Sequence, residues 1–126
     1  MSFYYTTEID LANELLIFEV RGEAREIGDV EDMIIKMIKC SHDKNLQNVV
    51  LDSRKLKVLC SNLDVTRLII SNQESGLFDG LKIARVISPQ YNIQHVIGGL
   101  AESLSLPIKN FETRSEAMLW LLFDKH

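Results

Sequence analysis

The sequence predicts an α/β domain: a mixed, mostly parallel sheet of about five strands with four helices, in the order ββαβαβαβα. Two observations predict it most directly. After Ser88-Pro89, Asn92 can cap a helix whose apolar positions are Ile93, Val96, Ile97, Leu100, Ala101 and Leu104, the spacing of a stripe buried against a sheet. Short apolar strands flank it, Ile83 to Ile87 upstream and Ile108 to Phe111 downstream, and strand–helix–strand at this length is a βαβ unit. A third observation extends the pattern: apolar strands and amphipathic segments also alternate along the first two-thirds of the chain.

Phe3 to Ile9 is rich in aromatic and β-favouring residues and reads as a strand. Asp10 to Asn13 supplies turn residues, and Leu15 to Val20 reads as the second strand of an antiparallel hairpin that Arg21-Gly22-Glu23 ends. Asp29 is placed to cap the first helix, with Val30, Met33, Ile34, Met37 and Ile38 as its buried stripe. After a loop over Asn45 to Asn48, the uninterrupted triplet Val49-Val50-Leu51 suits a central strand covered on both faces. Asp52-Ser53 ends that strand, and a loop runs on to Cys60.

The second helix begins near Ser61-Asn62, where Ser61 and Asp64 stand in the relation of a capping box. Val65, Leu68 and Ile69 form its stripe, extended by Leu63 or Ile70. Gln73 to Gly80 is turn-rich, and Leu77 and Phe78 within it need a pocket or a partner. Thr113-Arg114-Ser115-Glu116 opens the last helix as a capping box, followed by Ala117-Met118-Leu119-Trp120-Leu121-Leu122-Phe123. So long an apolar run needs a second buried surface, either a deep groove of the same domain or another subunit.

Length and composition suit one domain over residues 1–126, with 46% hydrophobic and 25% charged residues. A net charge of -4 argues against a nucleic-acid binder, and Arg54, Lys55 and Lys57 lack the interleaved aromatics of a binding face. The N-terminus lacks the basic and apolar regions of a signal peptide, and no apolar run reaches the roughly 20 residues of a membrane span. The expectation is a cytoplasmic protein with Cys40 and Cys60 reduced.

Candidate chemistry is sparse. Cys60 precedes a helix N-terminus, where a thiolate is stabilised, and Lys57 is near in sequence; its alternative is an inert, buried thiol. Cys40-Ser41-His42, with Cys60 and His95 elsewhere, does not make a metal motif, so neither metal nor cofactor is expected. Gly98-Gly99 inside a helix implies close approach by a ligand or tight helix packing. Asp52, at the carboxyl end of a central strand, is placed to line a polar crevice with Ser53, Ser61 and Ser88-Pro89, or else to cap its loop. Paired carboxylates and a Ser–His–Asp arrangement are not visible in the sequence, so the reading is non-enzymatic.

The layout resembles the STAS or SpoIIAA-like fold of bacterial anti-sigma-factor antagonists, nearest to uncharacterised bacterial STAS/SEC14-like proteins. Lys82 to Ile87 and the phrase Phe111-Glu112-Thr113-Arg114-Ser115-Glu116-Ala117-Met118-Leu119-Trp120-Leu121 carry the likeness, which covers nearly the whole chain. In the antagonists a serine at the start of the helix after the central strand is phosphorylated, in a motif of the type D-S-S-G. The matching stretch is Cys60-Ser61-Asn62-Leu63, where Cys60 and Leu63 replace the motif's Asp and Gly. The resemblance implies a non-catalytic regulatory module that binds a protein partner, a kinase or regulator, around Ser61, Asn62, Cys60, Asp52 and Ser53. The sequence adds an apolar contact or ligand surface at Leu77, Phe78, Trp120 and Phe123, with a homodimer among its outcomes. The alternatives are a small-molecule or lipid-binding domain of SEC14-like type and a thiol-dependent enzyme at Cys60.

Overall fold

The computed structural model describes residues 3–88, 99 and 106–123. Its five strands, β1 (Phe3–Asp10), β2 (Leu15–Ala24), β3 (Asn48–Val58), β4 (Lys82–Val86) and β5 (Ile108–Phe111), lie in one sheet in sequence order. β1 and β2 pair antiparallel, and the other three pairings are parallel. Helices α1 (Ile27–Lys44) and α2 (Asn62–Glu74) connect β2 to β3 and β3 to β4, and α3 (Arg114–Phe123) follows β5. The helix expected after Ser88-Pro89, with its stripe from Ile93 to Leu104, lies outside the described residues except for Gly99, which is helical. Three helices are therefore described where the sequence predicts four.

Strand alternation assigns each side chain to a layer. Leu16, Phe18 and Val20 of β2, Val49 and Leu51 of β3 and Ile83 of β4 face α1 and α2. Val30, Met33, Ile34, Met37 and Ile38 of α1 meet them, as the sequence predicts, together with Val65, Leu68 and Ile69 of α2. The intervening residues Leu15, Ile17, Val50, Ala84 and Val86 face the opposite way, onto Ala117 and Leu121 of α3. Val49 and Val50 are both fully buried because β3 is the middle strand, covered on both sides.

Several element ends differ from the sequence reading. α1 starts two residues before Asp29: Glu26 is its N-cap, and Asp29 closes the capping box by accepting from the Glu26 N–H at 3.2 Å. β2 does not end at Arg21-Gly22-Glu23 but runs through it, and Gly22 takes a φ of 104° that a side-chain-bearing residue rarely adopts. β3 does not end at Asp52-Ser53 either; it continues to Val58, beside the prolonged β2.

An irregularity hides that extension from a period-two reading. Glu19 pairs with Asp52 and Arg21 with Lys55, so β3 makes three steps where β2 makes two. The extra residue is a β-bulge, which shifts the inward positions from Leu51 and Ser53 to Leu56 and Val58. α2 keeps its expected start, because the Ser61 Oγ accepts from the Asp64 N–H at 3.1 Å.

Leu56 is 1% exposed, whereas Lys57 beside it is exposed. Leu56→Ala is therefore expected to lower stability by about 2–5 kcal/mol, and Lys57→Ala to stay within about 0.5 kcal/mol. Urea unfolding checks both; a cost below about 1 kcal/mol for Leu56→Ala would mean that β3 stops where its apolar triplet does.

Candidate functional site

Asp52 stands on the α3 side of β3, level with Val86 at the carboxyl end of β4. Its side chain is 3% exposed, which would be costly for an unpaired carboxylate. Two guanidiniums satisfy it. The bulge turns Arg54 back, so that its Nε and Nη2 donate to Asp52 Oδ1 and Oδ2 at 3.0 and 2.7 Å, a bidentate pair. Arg114, the first residue of α3, donates from Nε to Asp52 Oδ2 at 2.7 Å and from Nη2 to Glu19 Oε2 at 2.8 Å.

Arg21 adds a looser 3.7 Å contact to Glu19. Burial alone raises the Asp52 carboxyl, but the hydrogen bonds from Arg54 and Arg114 outweigh it and hold the group below the ordinary carboxylate range. A cation at a helix N-terminus opposes the helix dipole, so Arg114 is explained by what it grips.

The polar crevice expected from Asp52, Ser53, Ser61 and Ser88 does not form as one cluster. Asp52 and Ser53 are successive strand residues and point to opposite faces: Asp52 to α3, and Ser53 into a cavity beneath α1 and α2. The Ser53 Oγ donates to the Val86 carbonyl at 3.3 Å. Ser61 lies beyond the end of β3 as the α2 cap. Pro89 lies outside the described residues.

Around Ser61 the surface is mixed. Ser61 and Asn62 are exposed, and two large apolar neighbours are exposed with them, Leu59 at 46% and Leu63 at 57%. Leu63 therefore does not extend the buried stripe of α2; Ile70 is the half-buried one. Cys60 packs against the core, its Sγ donating to the Ala24 carbonyl at 3.6 Å. Burial pushes the Cys60 thiol up, and the carboxylates of Asp29, Asp64 and Glu26 push the same way, the reverse of what a reactive thiolate needs.

Of the four residues expected to form an apolar contact surface, Phe78 is buried in the α1/α2 core and Leu77 packs on it, so the turn after α2 finds its pocket at home. Trp120 is half-buried, 5.6 Å from Phe111 and beneath Lys82, whose Nζ lies 4.5 Å from the ring centre and donates to the Trp120 carbonyl at 3.1 Å. Phe123 is 70% exposed and Leu119 57%, so among the described residues no groove encloses α3 all round.

Cys40 and Cys60 are free thiols, and the described residues hold no group of three or more potential metal ligands. His95 and Gly98 lie outside the described residues. A side chain built on Gly99 would meet nothing within 4 Å, so tight packing does not explain that glycine.

Sequence reading passed over Glu19, Arg54, Arg114 and Arg85. Their common signal was available for two of them: Glu19 interrupts Leu-Leu-Ile-Phe-Glu-Val and Arg85 interrupts Ile-Ala-Arg-Val-Ile, each a charge inside an apolar strand. Arg85 faces the α1/α2 side, is 6% exposed and donates from Nη1 to Asn110 Oδ1 at 3.1 Å. Burial pulls its pKa down to about 10, which leaves it charged near neutrality.

Two outcomes are expected. Because the folded Asp52 carboxyl titrates below its unfolded value, its contribution is whole above pH ~4 and is lost as pH falls through the folded value. Asp52→Asn should remove about 1–3 kcal/mol at pH 7 and flatten the acid limb of the stability curve; an unchanged limb would mean that the ion pairs contribute nothing. For Cys60, iodoacetamide labelling against pH should give an apparent pKa above the ordinary thiol value of about 8.5, and a value below 7 would restore the reactive-thiol reading.

No protein-family model matches the chain, and no curated protein matches it. Solved structures do. An anti-sigma factor antagonist from Mycobacterium paratuberculosis aligns over 95% of this chain and 94% of its own, at 16% identity and a TM-score of 0.60. A protein of the DUF3478 family with a SpoIIAA-like fold, from Shewanella loihica PV-4, aligns over 95% and 94% at 17% identity and a TM-score of 0.57. At these identities the shared property is the fold: a mixed, mostly parallel five-stranded sheet with helices on both faces, which makes this chain's fold SpoIIAA-like.

Proposed function

We propose that the chain is a cytoplasmic, non-catalytic regulatory module that binds a protein partner through the N-terminal end of α2. The observation that carries this is the exposure of Leu59 and Leu63 on either side of the exposed cap Ser61. Large apolar side chains beside a hydrogen-bonding helix terminus suit a protein surface better than solvent. The similar Mycobacterium paratuberculosis structure is that of an anti-sigma factor antagonist, a role defined by a protein partner.

Phosphate on Ser61 would meet the positive end of the α2 dipole, but the exposed Asp64, whose N–H the Ser61 oxygen already caps, would repel it. Partner binding therefore stands apart from a phosphoswitch at Ser61. A kinase or another regulator fits the partner's role. The exposed Leu119 and Phe123 on α3 offer a separate area through which two copies would associate, which sedimentation at several concentrations measures.

A second reading, a small-molecule-binding domain of SEC14-like type, is favoured by one different observation: the cavity under α1 and α2, on the face opposite Trp120.

Pull-down from the source organism with the wild type, Leu59→Asp/Leu63→Asp and Ser61→Asp tests the leading reading. The apolar double variant should lose the captured partner by about tenfold or more, since interface anchors contribute on the order of 2 kcal/mol each. An undiminished partner in that variant removes the α2 surface from consideration. An unchanged partner set with Ser61→Asp removes only the switch.

A further inference from the structure

The space between the sheet and the two crossover helices is walled by apolar side chains, among them Val30 and Ile34 of α1, Leu51 of β3 and Phe78 of the turn after α2. Two polar side chains interrupt that lining, Ser53 and Arg85. They belong together: β3 and β4 pair in parallel with Leu51 opposite Arg85 and Asp52 opposite Val86, which sets Ser53 one position beyond that pairing. The cavity thus has apolar walls and one cationic, hydrogen-bonding end.

Its volume, about 50 Å³, corresponds to a few water-sized positions, since one water needs roughly 10–15 Å³ measured this way. That rules in a ligand of roughly four to six heavy atoms and rules out a long acyl chain.

We propose that this cavity binds a short-chain monocarboxylate of propionate-to-butyrate size, its alkyl tail among Val30, Ile34, Leu51 and Phe78 and its carboxylate against Arg85 and Ser53. The proposal deepens the small-molecule reading above and narrows it from lipid to short acid. The Arg85 bond to Asn110 is made to a neutral amide oxygen, and a carboxylate is the stronger acceptor for a guanidinium. In surroundings of low polarity that preference grows, because both charges are screened less by water. The Ser53 hydroxyl, now bonded to a backbone carbonyl at 3.3 Å, can rotate to donate to a nearer anion.

The test is a methyl-detected NMR titration of the full chain with sodium butyrate and with 1-butanol, at matched ionic strength. Butyrate should give saturable shifts at Ile34, Leu51 and Ile83, with butanol weaker by about tenfold or more, the discrimination expected of a hydrogen bond between charged groups. Arg85→Gln should weaken butyrate by about tenfold and leave butanol within about twofold.

If Arg85→Gln does not fold, Val30→Ile decides. It narrows the cavity by one methylene with the charge in place and should weaken butyrate by about threefold or more. Unchanged butyrate affinity in that variant overturns the proposal. So does equal binding of acid and alcohol, which would leave the small-molecule reading intact without its anionic end. No saturable shift with either probe overturns the proposal and that reading together. Shifts confined to the neighbourhood of Arg54 and Arg114 reveal surface ion pairing only, and likewise overturn it.

Discussion

A carboxylate set in the middle strand of a sheet is an expensive choice, and much of the arrangement around β3 follows from it. Asp52 is almost fully buried, and an unpaired anion there would cost several kcal/mol. Its guanidinium partners come from two directions. One arrives because β3 bulges and returns Arg54 onto its own strand neighbour. The other arrives because the chain, after β5, begins its last helix with Arg114 directly over the carboxylate. Glu19, the cross-strand partner of Asp52, takes the remaining arm of Arg114 and brings β2 into the same cluster.

The two faces of the sheet are built on different principles. Beneath α1 and α2 the contacts are apolar and extensive, with large side chains such as Phe3, Phe18 and Leu56 fully enclosed. Burial of that kind is the dominant favourable term in folding. On the other face the apolar contact under α3 is narrower, centred on Ala117 and Leu121. Polar contacts complete it at both ends, Arg114 on Asp52 and Glu19, and Lys82 on the ring and carbonyl of Trp120.

What sequence reasoning recovers here depends on how local the cause is. The α1 stripe, the Ser61 cap and the Ile108 to Phe111 strand are visible because period and capping chemistry are properties of neighbouring residues. The continuation of β3 to Val58 is not, because the bulge shifts the inward phase and makes Arg-Lys-Leu-Lys read as a loop. The partners of Asp52 are further out of reach: Arg114 is 62 residues away, and only the assembled sheet brings it near. The opposite facing of Asp52 and Ser53 was in principle legible from strand alternation, once the strand was known to include both. The proposed partner surface at Leu59 and Leu63 depends on exposure, which the apolar character of the two residues does not reveal.

The unequal attachment of the helices gives this small molecule two tiers of cohesion. Acid that titrates Asp52, or electrolyte that weakens the half-exposed guanidinium pairs, acts on the α3 tier while leaving the oily interior beneath α1 and α2 untouched. The carboxyl-terminal helix is thus the segment of this chain most readily detached by a change of medium alone, with the rest of the sheet still standing.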